Sequence, residues 1–176
     1  YPTSEEAAAE IIRLPADLAL PKGAEFFVSD IHGEYSAFSH ILRNGSGAVR
    51  KVIDEALGDQ LSLKEVQKLA TLVSHPTPKT NYEIARAVRP GVWYAETLRN
   101  LVVIARHAAA GRPLSLVMDM LTEPTKDAIG ALLDEQSYSA SKKAYQRALI
   151  EAIVDTGQAR DYVRELCHLI QRLTVD

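Results

Sequence analysis

The sequence predicts a predominantly α-helical chain with a single strand near residues 25–30, the front portion of a larger α/β protein with a helical insertion after its first core strand. Three observations lead there. Helix caps and apolar residues at 3.6-residue spacing recur along most of the chain. One short aromatic and β-branched segment, Glu25-Phe26-Phe27-Val28-Ser29-Asp30, is bounded by turn residues and reads as a strand. A lone strand leaves its backbone groups without partners, and the closing Leu173-Thr174-Val175-Asp176 looks like the approach to another strand.

Each element has a local cause. Thr3 and Glu6 read as a capping box, in which the hydroxyl accepts an orphan amide and the carboxylate answers it. The helix that follows runs towards Leu20 and is expected to kink or restart at Pro15. Pro21-Lys22-Gly23 breaks it, and the strand comes next. After Gly33, Tyr35, Phe38, Ile41 and Leu42 recur at helical spacing until Asn44-Gly45. A helix from about Ala48 to Leu57 stops at Gly58; Ser62 and Glu65 cap another that reaches about Ser74. Thr80 and Glu83 suggest a third capping box. Gly91 to Ala110 is a longer amphipathic run with Arg106 and His107 in its last turn, where positive charge is favoured. Pro113 and Pro124 each open a further helix, and helices over about Ala140–Asp155 and Gln158–Leu173 complete the series. No internal repeat, low-complexity tract or linker stands out.

Composition narrows the function classes. The 176 residues are 47% hydrophobic and 24% charged, the balance of a globular rather than a disordered chain. Twenty Lys and Arg against 23 Asp and Glu leave a net charge of −3, which argues against a dedicated nucleic-acid binder. The single cysteine, Cys167, cannot form an internal disulfide, so a reducing, cytoplasmic setting is expected. Apolar runs such as Leu101–Ala105 are too short to span a bilayer, so no membrane is expected as partner. The chain opens on Tyr1 without the pattern of a signal peptide, and its start reads as a cut.

The chemistry-bearing motif is Ser29-Asp30-Ile31-His32-Gly33. On a strand, Asp30 and His32 would project to the same side and could converge on one cation at the strand's end. A carboxylate oxygen with an imidazole nitrogen suits a divalent ion such as Mn, Fe or Zn. Gly33 permits a sharp turn, and a helix starting near Glu34 would aim its amino end at an anionic group such as phosphate. Strand end, two ligands and helix start together describe half of a metallophosphatase centre. The bland alternative is an Asp and a His that are merely solvated.

The segment FFVSDIHGEYSAF resembles the first motif, D-x-H, of calcineurin-like metallophosphoesterases. YPTSEEAAAEII, LPKGAEFFVSDIHGEYSAFSHILRNGSGAVRKVI, VWYAETLRNL and IQRLTVD are similar to the N-terminal part of class III fructose-1,6-bisphosphatases. The resemblance spans essentially the whole chain, densest from Tyr1 to Ile53. It implies an α/β/β/α sandwich with a helical insertion, of which residues 1–45 would supply the first strand and flanking helices. Residues 46–172 would be the insertion and 173–176 the return to the core. It also implies two-metal hydrolysis of fructose 1,6-bisphosphate to fructose 6-phosphate and phosphate in gluconeogenesis. Asp30 and His32 would ligate the first of two ions, manganese by analogy. The motifs G-D-x-x-D-R and G-N-H, which carry the remaining ligands in that family, are absent from these residues. The chain by itself is therefore expected to be inactive and to bind metal weakly.

Other residues are weighed more briefly. Arg43 and Arg50 flank the glycine-rich Asn44-Gly45-Ser46-Gly47 and are candidates to hold a sugar phosphate; the structural reading is a helix stop followed by a helix start. Glu34 could reach a metal-bound water or simply favour a helix's first turn. His40, His75, His107 and His168 read as surface or packing residues, Trp93 and Tyr94 as core anchors, and Cys167 as a small buried hydrophobe. Two rival functions stay open: another metallophosphoesterase (a protein phosphatase or dinucleoside-polyphosphate hydrolase), or a non-catalytic helical regulatory module. A homo-oligomer and a small-molecule effector are likewise open.

Overall fold

The computed structural model describes residues 2–20, 27, 29–44, 47–134 and 140–175, and the regular structure among them is entirely helical. The amino-terminal helix α1 (Ser4–Leu18) starts where Thr3 Oγ1 accepts the Glu6 amide at 3.2 Å. It continues through Pro15 without a break. The proline withdraws one N–H from the ladder, but the helix is exposed, so water can satisfy the carbonyl that is released. Helix α2 (Tyr35–Asn44) follows the candidate motif, and α3 (Ala48–Leu57) follows Gly47. Helix α4 (Leu63–Ser74) carries a complete capping box, with Glu65 accepting the Ser62 amide at 2.8 Å while its own amide donates to Ser62 Oγ at 3.4 Å.

Three expectations need correction. The Thr80–Glu83 pattern does not open a helix: α5 (Pro76–Ile84) begins four residues earlier, and Thr80 is buried inside it. Pro76 is already suited to a first helical turn, and this pre-set geometry overrides the cap-like pair. The residues read as the approach to a strand also turn out helical, because α10 (Ala159–Val175) runs through Leu173, Thr174 and Val175. Among the described residues no strand lies beside them, and Thr174 instead donates its hydroxyl to the Ile170 carbonyl at 2.8 Å, one turn back. Finally, the described positions of the expected strand over 25–30 (Phe27, Ser29 and Asp30) belong to no strand; Glu25, Phe26 and Val28 lie outside the described residues. Without a partner for its backbone, a single extended segment has no ladder to join.

The remaining helices are α6 (Pro90–Ala109), the short α7 (Leu114–Asp119), α8 (Glu123–Leu133) and α9 (Ala140–Asp155). Helix α6 lies against α10 as the central pair, and α3, α4, α8 and α9 pack around them. On α6, Leu98, Leu101, Ile104 and Ala105 are fully buried; on α10, Val163, Leu166, Cys167 and Ile170 are. Both sets repeat at three- and four-residue intervals, which places them on one face of each helix. Val49 and Ile53 of α3, Val66 and Val73 of α4, and Ile129 of α8 complete the same core.

Polar contacts from α10 fix where other helices end. Glu165 accepts the Thr122 amide at the start of α8 at 2.7 Å, and Arg160 donates to Asn81 of α5 at 2.7 Å. Gln171 donates to the Val73 carbonyl near the end of α4, and Arg172 to the Met120 carbonyl after α7. Trp93 and Tyr94 meet edge to face on α6 with ring centroids 5.2 Å apart, half-buried against the core as expected.

Helix α1 is the exception. None of its residues is buried, and Ile11, Ile12, Leu14 and Leu18 stand in solvent. Among the described residues its apolar stripe has no cover.

These differences set two stability predictions. Leu166→Ala, in the α6–α10 seam, is expected to lower unfolding free energy by about 3 kcal/mol in urea titration, whereas Leu18→Ala on α1 changes it by under about 0.5 kcal/mol. Equal losses would contradict this placement of the core. Burial also pushes the Cys167 thiol above its ordinary value of 9.0. The neutral thiol's contribution is thus present below that pH and falls as pH rises, because the unfolded chain ionises first. Tyr162 shifts upward for the same reason. Between pH 8 and pH 10.5 the urea midpoint should fall, and Cys167→Ala should flatten but not abolish the slope.

Candidate metal centre

The motif Ser29-Asp30-Ile31-His32-Gly33 lies in the connection leading into α2 and is exposed throughout. Its backbone is folded, not extended. Asp30 has φ +53°, His32 +49° and Gly33 +75°, so three of four consecutive residues are left-handed. The Glu34 amide donates to the Ile31 carbonyl at 2.9 Å, closing a turn whose two central residues, His32 and Gly33, both have positive φ. That is the signature of a type I′ turn. Glu34 then accepts the Phe38 amide at 3.0 Å and begins α2, so the helix start expected near Glu34 and the turn at Gly33 are both found. A side chain added at Gly33 would meet nothing, so its role there is the backbone angle and not close packing.

Left-handed backbone at two non-glycine residues costs on the order of 1 kcal/mol or more each. Asp and His tolerate it better than most residues but do not choose it freely. The argument from strand alternation, by which Asp30 and His32 would share a side, does not apply to this geometry. What the structure provides instead is two exposed side chains, one residue apart, at the amino end of a helix. Neither takes part in a hydrogen bond or ion pair among the described residues. A carboxylate and an imidazole in that state are chemically fit to donate to a divalent cation. Two donors do not fill a coordination shell, and among the described residues no three His, Cys, Asp or Glu side chains gather as a metal site.

The two candidate arginines are placed elsewhere. Arg43 belongs to the last turn of α2, nine residues beyond Glu34, which is about 13 Å along the helix axis. Arg50 is exposed in the first turn of α3. Gly45 and Ser46 lie outside the described residues; Gly47, before α3, has φ +98°. Asp30 and His32 thus lie at one end of α2, and Arg43 at the other.

The histidines mostly behave as packing residues. His107 faces Glu55 at 3.4 Å across the α6–α3 contact. His40 of α2 stacks on His75 at the α4–α5 junction, with ring centroids 5.6 Å apart and planes 14° from parallel. That stack ties α2 to the helical body, and nothing in the spacing of two histidines 35 residues apart could have announced it.

A sequence profile described as Firmicute fructose-1,6-bisphosphatase matches residues 1–176, the whole chain. The chain belongs to this family. Curated fructose-1,6-bisphosphatase class 3 proteins resemble it along its full length: the protein of Phocaeicola vulgatus is 40% identical over 178 residues, that of Bacteroides thetaiotaomicron 40% over 176, and that of Clostridium acetobutylicum 38% over 176. In each case the aligned region is 26% of the relative, so this chain spans about a quarter of the length of the fructose-1,6-bisphosphatases it matches. No solved structure matches it.

The turn geometry generates a local prediction. His32→Gly should strengthen the Ile31–Glu34 bond by roughly 1 kcal/mol, slowing exchange of the Glu34 amide about fivefold. His32→Val, β-branched and unsuited to positive φ, should abolish that protection. Unchanged exchange in both variants would mean that the turn is not left-handed in solution.

Proposed function

We propose that this chain supplies the first metal-ligand motif of a metal-dependent fructose-1,6-bisphosphatase, with Asp30 and His32 as ligands to one of two divalent ions, manganese by analogy. The observation that carries the reading is the pairing of a family match over all 176 residues with two exposed, unpartnered donor side chains held on a strained turn. A divalent pair in such an enzyme lowers the pKa of an attacking water and offsets charge on the phosphoryl oxygens. The reaction consumes water and fructose 1,6-bisphosphate and yields fructose 6-phosphate and inorganic phosphate.

The chain's own residues would do three things in this scheme. Asp30 offers a carboxylate oxygen and His32 a ring nitrogen; the left-handed turn presents both at the mouth of α2. The amino end of α2 favours the phosphoryl group that approaches there. Arg43, at the far end of α2, and Arg50 could engage the second phosphate of a bisphosphate, since that substrate carries its anionic groups at opposite ends of a sugar. The exposed apolar stripe of α1, together with exposed Phe27 and Tyr35, supports assigning residues 1–45 to a catalytic core. That core would be completed by parts of the parent protein outside the 176 residues, with 46–172 as a helical insertion.

The test separates the chain from the complete enzyme. Calorimetric titration of the 176-residue chain with Mn²⁺ should give no saturable heat at micromolar metal, and the chain should release no phosphate from the bisphosphate. In the complete enzyme, Asp30→Asn should lower kcat about 100-fold or more. Arg43→Ala should raise KM with little change in kcat. Full activity of the Asp30→Asn enzyme would refute the ligand assignment; unchanged KM in Arg43→Ala would retire the phosphate role.

A further inference from the structure

We infer that the apolar face of α1 is a docking surface for the remainder of the enzyme's own polypeptide, joined in cis. The inference rests on the family reading above and extends it to a defined helix face and a defined partner. On α1, Ala7, Ile11, Leu14 and Leu18 stand at i, i+4, i+7 and i+11, which places them in one stripe. Glu6, Glu10, Arg13 and Asp17 follow the same spacing one residue earlier, along a separate polar face. Arg13 ion-pairs there with both Glu10 and Asp17, so the polar face finds partners inside the helix.

The apolar stripe has no such cover among the described residues. Ile11 is 69% and Leu18 77% exposed, and Leu14 is exposed between them. The buried core of the described residues begins only at Val49. Aliphatic side chains lined up in water mark a surface that something covers. The helical body does not do so, since it is packed around its own core and leaves α1 outside.

Size and chain length choose the occupant. A helix of 15 residues is about 22 Å long and offers on the order of 400 Å² along one face. Two copies meeting through it would bury about 800 Å², short of the roughly 1,200–2,000 Å² of a stable intermolecular interface. A partner on the same polypeptide escapes that requirement, because the covalent link keeps its effective concentration high and most of the association entropy is already lost. The chain aligns with only 26% of its relatives' length, so a polypeptide about three times as long is available to supply the seat. The flanks of the stripe are acidic, with Glu5, Glu6, Glu10 and Asp17 against Arg13 alone. The complementary seat is therefore an apolar trough with a basic rim.

Amide hydrogen exchange in the 176-residue chain and in the complete enzyme tests this. In the chain, the α1 amides should exchange with little protection; in the complete enzyme they should slow by about 100-fold or more. Leu14→Gln in the complete enzyme should return them to the rates of the chain, whereas Glu6→Gln, on the polar face, should leave them slow. Unprotected α1 amides in the complete enzyme, protection that survives Leu14→Gln, or protection already present in the chain would overturn the inference. Protection in the chain that rises with its concentration would assign the stripe to a second copy instead. The ligand reading fails separately, through an active Asp30→Asn enzyme, and that result would leave the exchange of α1 unchanged.

Discussion

The seam between α6 and α10 is the interaction on which the other helices depend. Each presents a face of fully buried residues; α10 also touches α2, α3, α4, α5, α8 and α9, and α6 touches α3, α8 and α9. Helix α10 also carries polar fastenings: Glu165, Gln171 and Arg172 reach backbone groups at the start of α8, near the end of α4 and after α7, and Arg160 reaches the Asn81 side chain on α5. Hydrophobic burial makes the contact strong but not unique, since an apolar face tolerates sliding. Hydrogen bonds to carbonyls and amides at helix ends have narrow geometry and so specify register. Burial and fastening on the same helix hold the body in one packing arrangement, while α1, with no buried residue, adds nothing to the core.

The helical body was largely legible from residue patterns because its signals are local. The Ser62–Glu65 capping box, the glycine after Leu57 and the apolar spacing of α6 and α10 each follow from chemistry within one or two turns. The misreadings share one cause, which is that a local preference met a stronger constraint. Thr80 resembles a cap, yet Pro76 had already started the helix. Thr174 and Val175 favour strands by shape, yet α10 continues through them, with Thr174 buried and bonded to Ile170. The strand over residues 25–30 had the right composition, but pairing is a long-range property and no described segment supplies a partner.

The candidate site was half legible. Asp30, His32 and Gly33 announced themselves as donor types next to a turn residue, and α2 starts where the spacing placed it. The left-handed backbone at Asp30 and His32 was not readable, because neither residue type demands it. Strain without local compensation is common where a chain is shaped for a ligand or partner, which is why these two angles weigh more than the motif alone. The family match covers the turn along with the rest of the chain, and there the backbone leaves the Asp30 and His32 side chains exposed.

Two layers of stability follow from this arrangement: a helical body held by the α6–α10 seam, and an amino-terminal region, carrying the turn at residues 30–33, whose α2 packs on that body. Amide hydrogen exchange along the whole chain measures that division directly. Amides of Leu101 to Ala105 and of Val163 to Ile170 should exchange only through global unfolding, and respond to urea with the full unfolding slope. Those of α1 and of residues 29–34 should exchange orders of magnitude faster, with almost no urea dependence. If α1 shared the protection of α6 and α10, or if the seam exchanged as fast as the turn, the account would be wrong at its base.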